Sequence, residues 1–374
     1  MLDQNIHDGG TREVREPRED RAARTGRAAG ERPRRIYLLD ALRLIAALAV
    51  LSYHYMARGG GWHTDVKAVF PTAFPFAAYG WLGVQLFFLI SGFVICMSCW
   101  GKSLREFFVS RVVRLYPAYW FAVVATTVTV AVIPGGASRP RWSDVLTNLT
   151  MLQEAFGVEH VDGAYWSLFA ELRFYLLFAV VAWWGLTYRR VLLFACVWAA
   201  ASVLYARAPV DDPIRVLIMP DDSWYFIAGI ALYLMHRFRP NLMLWGVVLL
   251  CFCSSLPFAL NTWKNTATYM GHAVPSWPVV LIIAASFGVM ALVATKDLSF
   301  IRWRWLSYAG ALTYPLYLLH QVIGRELFSL LDGRMPTYAL LALVVTGMLA
   351  AAWLVHRFVE RPLGRRLKHG LAQL

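Results

Sequence analysis

Two ionisable residues, Arg43 and His54, lie inside an apolar segment that is long enough to cross a bilayer, LLDALRLIAALAVLSYHYM. Their spacing, R-x10-H, is just over three helical turns, so both side chains point the same way, roughly 16 Å apart along the axis. A charged side chain at the centre of a membrane helix costs roughly 3 kcal/mol even on the mildest scale, and such residues usually face the interior of a helix bundle. The pair predicts the functional site of a membrane-embedded enzyme, with His54 as the group that accepts and returns a proton.

A second set of cations lies in the predicted loop at 101–117, GKSLREFFVSRVVRLYP. Arg111 and Arg114 are i,i+3 neighbours on one face, and guanidinium groups bind phosphates through paired hydrogen bonds. Cations at this position could equally hold the segment against anionic lipid headgroups and orient the chain in the membrane. The spacing alone therefore leaves a phosphate site and a topology signal as equal alternatives.

The composition is that of a membrane protein. Hydrophobic residues make up 59% of the 374 residues, and charged residues make up 16%. The net charge of +13 does not predict a nucleic-acid partner, because the basic residues lie in short loops between apolar runs. We expect no metal site, since the one C-x-x-C pair, Cys96 and Cys99, has no second Cys or His pair at ligand spacing.

Apolar segments recur ten times, and they predict an all-α bundle of about ten transmembrane helices. The segments run over 36–57, 76–99, 116–134, 166–187, 191–206, 222–235, 242–258, 277–294, 305–324 and 337–356. The flanking composition predicts a disordered basic cytoplasmic tail at 1–35, a single membrane domain at 36–362 and a basic cytoplasmic tail at 363–374.

The distribution of charge orients these segments. Most of the 36 Lys and Arg residues lie in the two tails and in the loops that follow even-numbered segments. The positive-inside rule then places both termini in the cytoplasm of a cell-membrane protein. Arg43 would lie near the inner surface, and His54, Glu171 and His320 would share one level near the outer surface.

Glu171 and His320 each have an alternative role. Glu171 could orient His54 and stabilise its imidazolium, or it could be a structural partner of Arg173. His320 lies about 22 Å above Trp305 in an ascending helix, where it could take part in the chemistry or simply lie at the membrane interface.

Six short motifs occur in order along the apolar segments. They are R-x10-H at Arg43 and His54; GVQLFFLISGFVI at 83–95 with Ser91; the R-x-x-R-x-x-P run of Arg111, Arg114 and Pro117; WSLFAELRFY at 166–175 with Trp166, Ser167, Glu171 and Tyr175; SYAGALTYPLYLLH at 307–320 with His320; and FVERP at 358–362. Together they resemble the acyltransferase 3 family of integral membrane acyltransferases, which includes many O-acetylases of bacterial surface glycans. The resemblance covers roughly residues 36–362.

The resemblance implies an acyl-CoA donor, with acetyl-CoA expected, and a hydroxyl acceptor on a cell-envelope or exported glycan. It implies that His54 is needed for activity, and that Arg111 and Arg114, together with Arg43, bind the nucleotide phosphates. The expected substrate-binding or structural residues are Trp166, Ser167, Tyr175, Ser91 and His320. Many relatives carry a C-terminal SGNH-type esterase domain, which the sequence after Pro362 does not contain, so passage of the acyl group to such a domain would need a separate partner protein.

Rival functions stay open beside this expectation. The same enzyme could acylate a small molecule, such as a macrolide, inside the cell. A transporter or flippase of a glycan or lipid would have paired, inverted halves with discontinuous helices, and the hydropathy pattern has no such symmetry. An unrelated membrane acyltransferase with a lone histidine would leave both arginine motifs unexplained.

Overall fold

The computed structural model describes residues 36–133, 138–296 and 303–373, and the regular structure in these ranges is helical throughout. The predicted all-α class is confirmed. Ten long helices in this part of the chain coincide with the ten predicted apolar segments: α1 Tyr37–Met56, α2 Gly83–Cys99, α3 Leu104–Val132, α4 Trp166–Trp184, α5 Tyr188–Leu204, α6 Ser223–Phe238, α7 Leu242–Met270, α8 Trp277–Thr295, α9 Trp305–Leu331 and α10 Thr337–Val355. The predicted tail at 1–35 lies outside the described residues.

Seven helical stretches in the described ranges are long and apolar enough to cross a membrane, namely α1, α2 together with the helical turns that precede it from Phe74, α3, α4, α7, α8 and α10. Helices α5 and α6 have 17 and 16 residues, which span about 25 Å and fall short of a hydrocarbon core of about 30 Å. The chain is a multi-pass membrane protein. The count of ten crossings stays a prediction.

Helices α1 and α9 lie side by side and run in the same direction. Gly310 in the first turns of α9 lies against the Asp40 side chain in the first turn of α1. At the other end of α1, the Tyr55 hydroxyl donates to the His320 carbonyl over 2.8 Å. When successive helices cross a membrane in alternate directions, two odd-numbered helices such as α1 and α9 run parallel to each other. This pair also sets the height at which α9 presents His320 to α1.

Helix α6 is the centre of the bundle. Every residue from Ser223 to Met235 is buried, which is typical of a helix that is covered on all sides by other helices. Its Gly229 lies so close to α2 that an added side-chain carbon would overlap the Leu89 carbonyl, and Gly92 has the same relation to the Phe226 carbonyl. Small residues at a membrane helix interface permit this backbone approach. The contact places α2 deep in the bundle.

Helix α3 begins at Leu104, well before the apolar run at 116, so the predicted loop at 101–117 is wrong over most of its length. A capping box causes this early start, because the Ser103 amide donates to Glu106 Oε2 over 2.8 Å while Ser103 Oγ accepts from the Glu106 amide. At the other end of the chain, α10 passes through a π-helical turn, His356–Glu360, into a last helix, α11 Arg361–Gln373. The predicted tail at 363–374 is thus helical over its described part.

Candidate active site

A cavity of about 120 Å³ lies between α1, α2, α3, α4 and α9. It is lined by side chains from five of the six motifs. The predicted site residues among them are Arg43, Ser91, Arg111, Arg114, Ser167, Glu171 and Tyr175. Helix packing thus collects on one surface residues that the chain spreads over five helices.

One end of the cavity is basic. Arg114 forms an ion pair with Glu360 Oε1 at 2.6 Å, so part of its charge is already compensated. Arg111 contacts hydroxyl groups only, at 3.2 Å to Ser110 Oγ and 3.4 Å to Ser98 Oγ. Within the described residues no carboxylate pairs with Arg111, which therefore retains most of its capacity to bind an anion.

Arg43 adds a third guanidinium to this cavity. It lies within electrostatic range of Arg114, Asp40 and Glu171. Three cations and one carboxylate thus line the space, and the excess of positive charge suits a phosphate or another anionic group.

Glu171 is held by two hydroxyl donors. Ser91 donates to Glu171 Oε1 over 2.8 Å, and the Tyr175 hydroxyl donates to the same oxygen. Oε2 has no hydrogen-bond donor among the residues that the structure describes. The carboxylate is therefore fixed in orientation within the cavity, with one oxygen left to meet a ligand or Arg43.

His54 and His320 form a pair beyond the lining of the cavity. Their ring centroids lie 5.1 Å apart, and the rings meet edge to face at 62°. His320 is 1% exposed, whereas His54 is half-buried. In the described part of the chain, the hydrogen bonds of Glu171 go to Ser91 and Tyr175, so it is His320 that contacts His54.

Tyr317 connects the cavity to the histidine pair. Its ring lines the cavity and lies 5.5 Å from the His320 ring, centroid to centroid. Its hydroxyl lies 2.7 Å from the Ser167 hydroxyl. Ring contacts therefore lead from the wall of the cavity through Tyr317 and His320 to His54.

Trp166 lies outside this series of contacts. It is 36% exposed, and its ring packs edge-on against Phe88, with centroids 5.9 Å apart. The contact anchors the first turn of α4 on α2, so a packing role is what its position indicates.

Asp162 supports the site from outside the cavity, although the sequence motifs do not include it. It is fully buried, its Oδ1 accepts from the Ala164 amide over 2.8 Å, and its Oδ2 accepts from the Val322 amide over 2.9 Å. Burial raises the pKa of this carboxyl group to about 6. The signal that could have found it is an Asp that lies four residues before Trp166 of the W-S-L motif, since Asp commonly caps a helix start.

The comparison with known proteins decides the family, because an acyltransferase domain model matches residues 36–357. The chain belongs to the acyltransferase 3 family. The resemblance carried by the six motifs is confirmed, and so is the assignment to a family of O-acyltransferase enzymes.

Three known acyltransferases are similar to this chain. The putative peptidoglycan O-acetyltransferase YrhL of Bacillus subtilis is 26% identical over 87% of this chain and 54% of its own length. The peptidoglycan O-acetyltransferase OatA of Listeria monocytogenes is 25% identical over 87% of this chain and 55% of its own length. The acyltransferase MdmB of Streptomyces mycarofaciens is 25% identical over 89% of this chain and 93% of its own length.

The chain therefore spans about half the length of the two peptidoglycan O-acetyltransferases. No solved structure matches it. In this acyltransferase 3 member the sixth motif, FVERP, has a structural explanation. Glu360 of that motif bonds both Arg114 at 2.6 Å and His356 Nδ1 at 2.8 Å, so it fixes one of the cavity arginines from the far end of the chain.

Proposed function

We propose that this protein transfers an acyl group, with acetyl expected, from acyl-CoA to a hydroxyl group of a cell-envelope or exported glycan. The observation that carries the proposal is the cavity itself, which has three guanidinium groups at one end and leads through Tyr317 to a histidine pair. Such a layout provides an anion site in the cavity and a proton acceptor beside it, and acyl transfer from a nucleotide-linked thioester needs both.

The donor would be held at the basic end. Arg111 and Arg114, together with Arg43, would bind the nucleotide phosphates. The cavity of about 120 Å³ is smaller than the roughly 300–1,000 Å³ of sites that enclose a drug-sized ligand. The nucleotide would therefore stay outside, and only the pantetheine arm with its thioester would enter. The rise of about 16 Å from Arg43 to His54 leaves the length of a helix for that arm to extend along.

His54 would act as the general base. It would take the proton of the acceptor hydroxyl while that oxygen attacks the thioester carbonyl carbon, and it would return the proton to the departing thiolate. The C–O bond forms and the C–S bond breaks, so no redox partner is needed. Glu171 would support the reaction from within the cavity, as a charged group held in place by Ser91 and Tyr175.

The names of two relatives support a glycan acceptor, since both are called peptidoglycan O-acetyltransferases. A second candidate is a small-molecule acceptor such as a macrolide. It is favoured by the length match, because the chain covers 93% of the acyltransferase MdmB but about half of the two peptidoglycan enzymes.

The deciding experiment is mass spectrometry of envelope glycans and of secreted metabolites from cells with and without the gene. We expect one acyl group to be lost from glycans in the deletion strain, and to return with the wild-type gene but not with His54→Ala. Restoration by both genes would refute the role of His54. Loss of the acyl group from a secreted metabolite, with glycans unchanged, would establish the second candidate.

The side of the membrane on which transfer occurs needs its own test. We propose that both termini lie in the cytoplasm and that transfer takes place in the outer half of the bundle. After replacement of the native thiols, single cysteines next to His54 and next to Glu171 should react with an impermeant reagent added outside the cell. Labelling only from the cytoplasmic side would instead favour an acceptor inside the cell.

A further inference from the structure

The His54–His320 contact has the dimensions of a hydrogen-bonded imidazole pair. Two imidazoles that are joined by an N–H···N bond of about 2.9 Å have ring centroids about 5.2 Å apart. The centroids of His54 and His320 lie 5.1 Å apart. Rotation of one ring would convert the present edge contact into that bond, and catalytic hydrogen bonds commonly tighten only when substrate is bound.

The protonation of His320 follows from its other contact. His320 Nδ1 lies 2.7 Å from the Tyr317 carbonyl oxygen. A carbonyl oxygen only accepts, so Nδ1 carries the proton, and the neutral ring presents a bare lone pair on Nε2. This Nε2 is buried and has no hydrogen-bond partner among the described residues. A buried acceptor of this kind costs free energy unless something donates to it.

The backbone around His320 is held from three sides. The Tyr55 hydroxyl donates to the His320 carbonyl over 2.8 Å. Asp162 Oδ2 accepts a hydrogen bond from the Val322 amide, whose usual acceptor within a helix is the Leu318 carbonyl. The Leu318 carbonyl accepts from the Tyr165 hydroxyl. These contacts fix the position of the His320 backbone beside α1.

We propose that His320 is the positioning residue of the general base, with its Nε2 accepting the N–H of His54. This inference rests on the proposed function, and it gives the orienting role expected of Glu171 to a second histidine. Holding one His54 nitrogen as a donor leaves the other nitrogen with its lone pair for the acceptor hydroxyl. When His54 takes that proton, the positive charge is stabilised by His320, and the proton leaves with the thiolate.

Two substitutions distinguish the roles of the two ring nitrogens of His320. In His320→Asn the amide occupies the place of Nδ1 and can still donate to the Tyr317 carbonyl, but no acceptor reaches His54. In His320→Gln an acceptor oxygen reaches the place of Nε2. Tyr79→Phe serves as the control, since it also removes a tyrosine hydroxyl that donates to a backbone carbonyl, that of Pro275 over 2.6 Å, at a residue that does not line the cavity.

The measurement is steady-state acyl transfer from acetyl-CoA by each purified variant, beside the wild type and His54→Ala. General acid–base catalysis contributes roughly 10²- to 10⁴-fold, and loss of a positioning group should remove part of that. We expect His320→Asn to lower kcat by about 10- to 100-fold with an unchanged KM for acetyl-CoA. His320→Gln should recover most of that loss, and Tyr79→Phe should stay near the wild-type kcat.

The possible outcomes are distinct. Wild-type kcat in His320→Asn, or an equal loss in Tyr79→Phe, would overturn the inference while leaving the proposed function intact. If His320→Asn does not accumulate, His320→Gln decides alone, since a near-wild-type kcat supports the inference and a loss as large as that of His54→Ala overturns it. A wild type no more active than His54→Ala would refute the proposed function and this inference with it.

Discussion

Arg111 and Arg114 occupy the same helix face, yet their surroundings predict different effects on substrate binding and on stability. Arg111 contacts only hydroxyl groups at 3.2 and 3.4 Å, so its charge is available to a phosphate. Arg114 is 2.6 Å from Glu360 Oε1, so a phosphate must share it with a carboxylate. The two alanine substitutions therefore separate binding from folding.

The magnitudes follow from these contacts. A hydrogen bond to a charged group contributes about 1.5–3 kcal/mol, so Arg111→Ala should raise the KM for acetyl-CoA by about 10- to 150-fold. It should change the thermal midpoint little. Arg114→Ala should raise that KM less. It should lower the free energy of unfolding by about 1–2 kcal/mol, a value below that of a fully buried pair because Arg114 is partly exposed.

The assay is release of free thiol from acetyl-CoA by purified enzyme, with the acceptor at saturating concentration, beside thermal unfolding in detergent. Arg105→Ala is the control. Arg105 belongs to the first turn of the same helix and loses the same charge, but it donates to the Leu371 carbonyl rather than lining the cavity. An increase in KM as large in Arg105→Ala as in Arg111→Ala would refute the reasoning and reduce these arginines to topology signals.

Three further predictions test the site and the bundle. Because burial raises the pKa of Asp162 to about 6, the folded protein binds a proton there more readily than the unfolded chain does. The free energy of unfolding should therefore fall as pH rises from about 4 to 6. In Asp162→Asn the thermal midpoint should lose that part of its pH dependence. Glu171→Gln keeps an oxygen that accepts from Tyr175 but loses the charge, so its thermal midpoint should hold while kcat falls about 10-fold or more, and an unchanged kcat would exclude a role for the charge. Gly229→Ala should cost about 1–3 kcal/mol of stability through overpacking, measured as a lower thermal midpoint, whereas Gly246→Ala, with open space at its Cβ, should not.

Much of the fold could be predicted because an apolar run of about 20 residues has few alternatives to a membrane helix. The ten long helices of the described ranges lie where the apolar runs lie. The start of α3 could not be found in this way, since its first turns carry cations instead of apolar residues. The Ser103 and Glu106 capping box that begins this helix was nevertheless readable in the sequence.

The partners within the site were harder to predict than its members. Seven of the predicted residues line one cavity, but the expected partner of His54 was Glu171, and the contact that exists is with His320. Helix periodicity places a side chain at a height and on a face of its own helix. Which neighbour it meets depends on how the adjacent helix is rotated, and no spacing within one segment specifies that rotation.

The identity of the chemical groups, their order and their approximate depth in the membrane are properties of the sequence itself, because they follow from residue types and from 1.5 Å of rise per residue. The pairings are properties of the tertiary structure. Arg114 and Glu360 are 246 positions apart, and Asp162 meets the Val322 amide across 160 positions. Such contacts join segments that are far apart along the chain and meet only in the folded bundle. Close packing of whole helices, rather than any local pattern, decides which polar groups can satisfy one another.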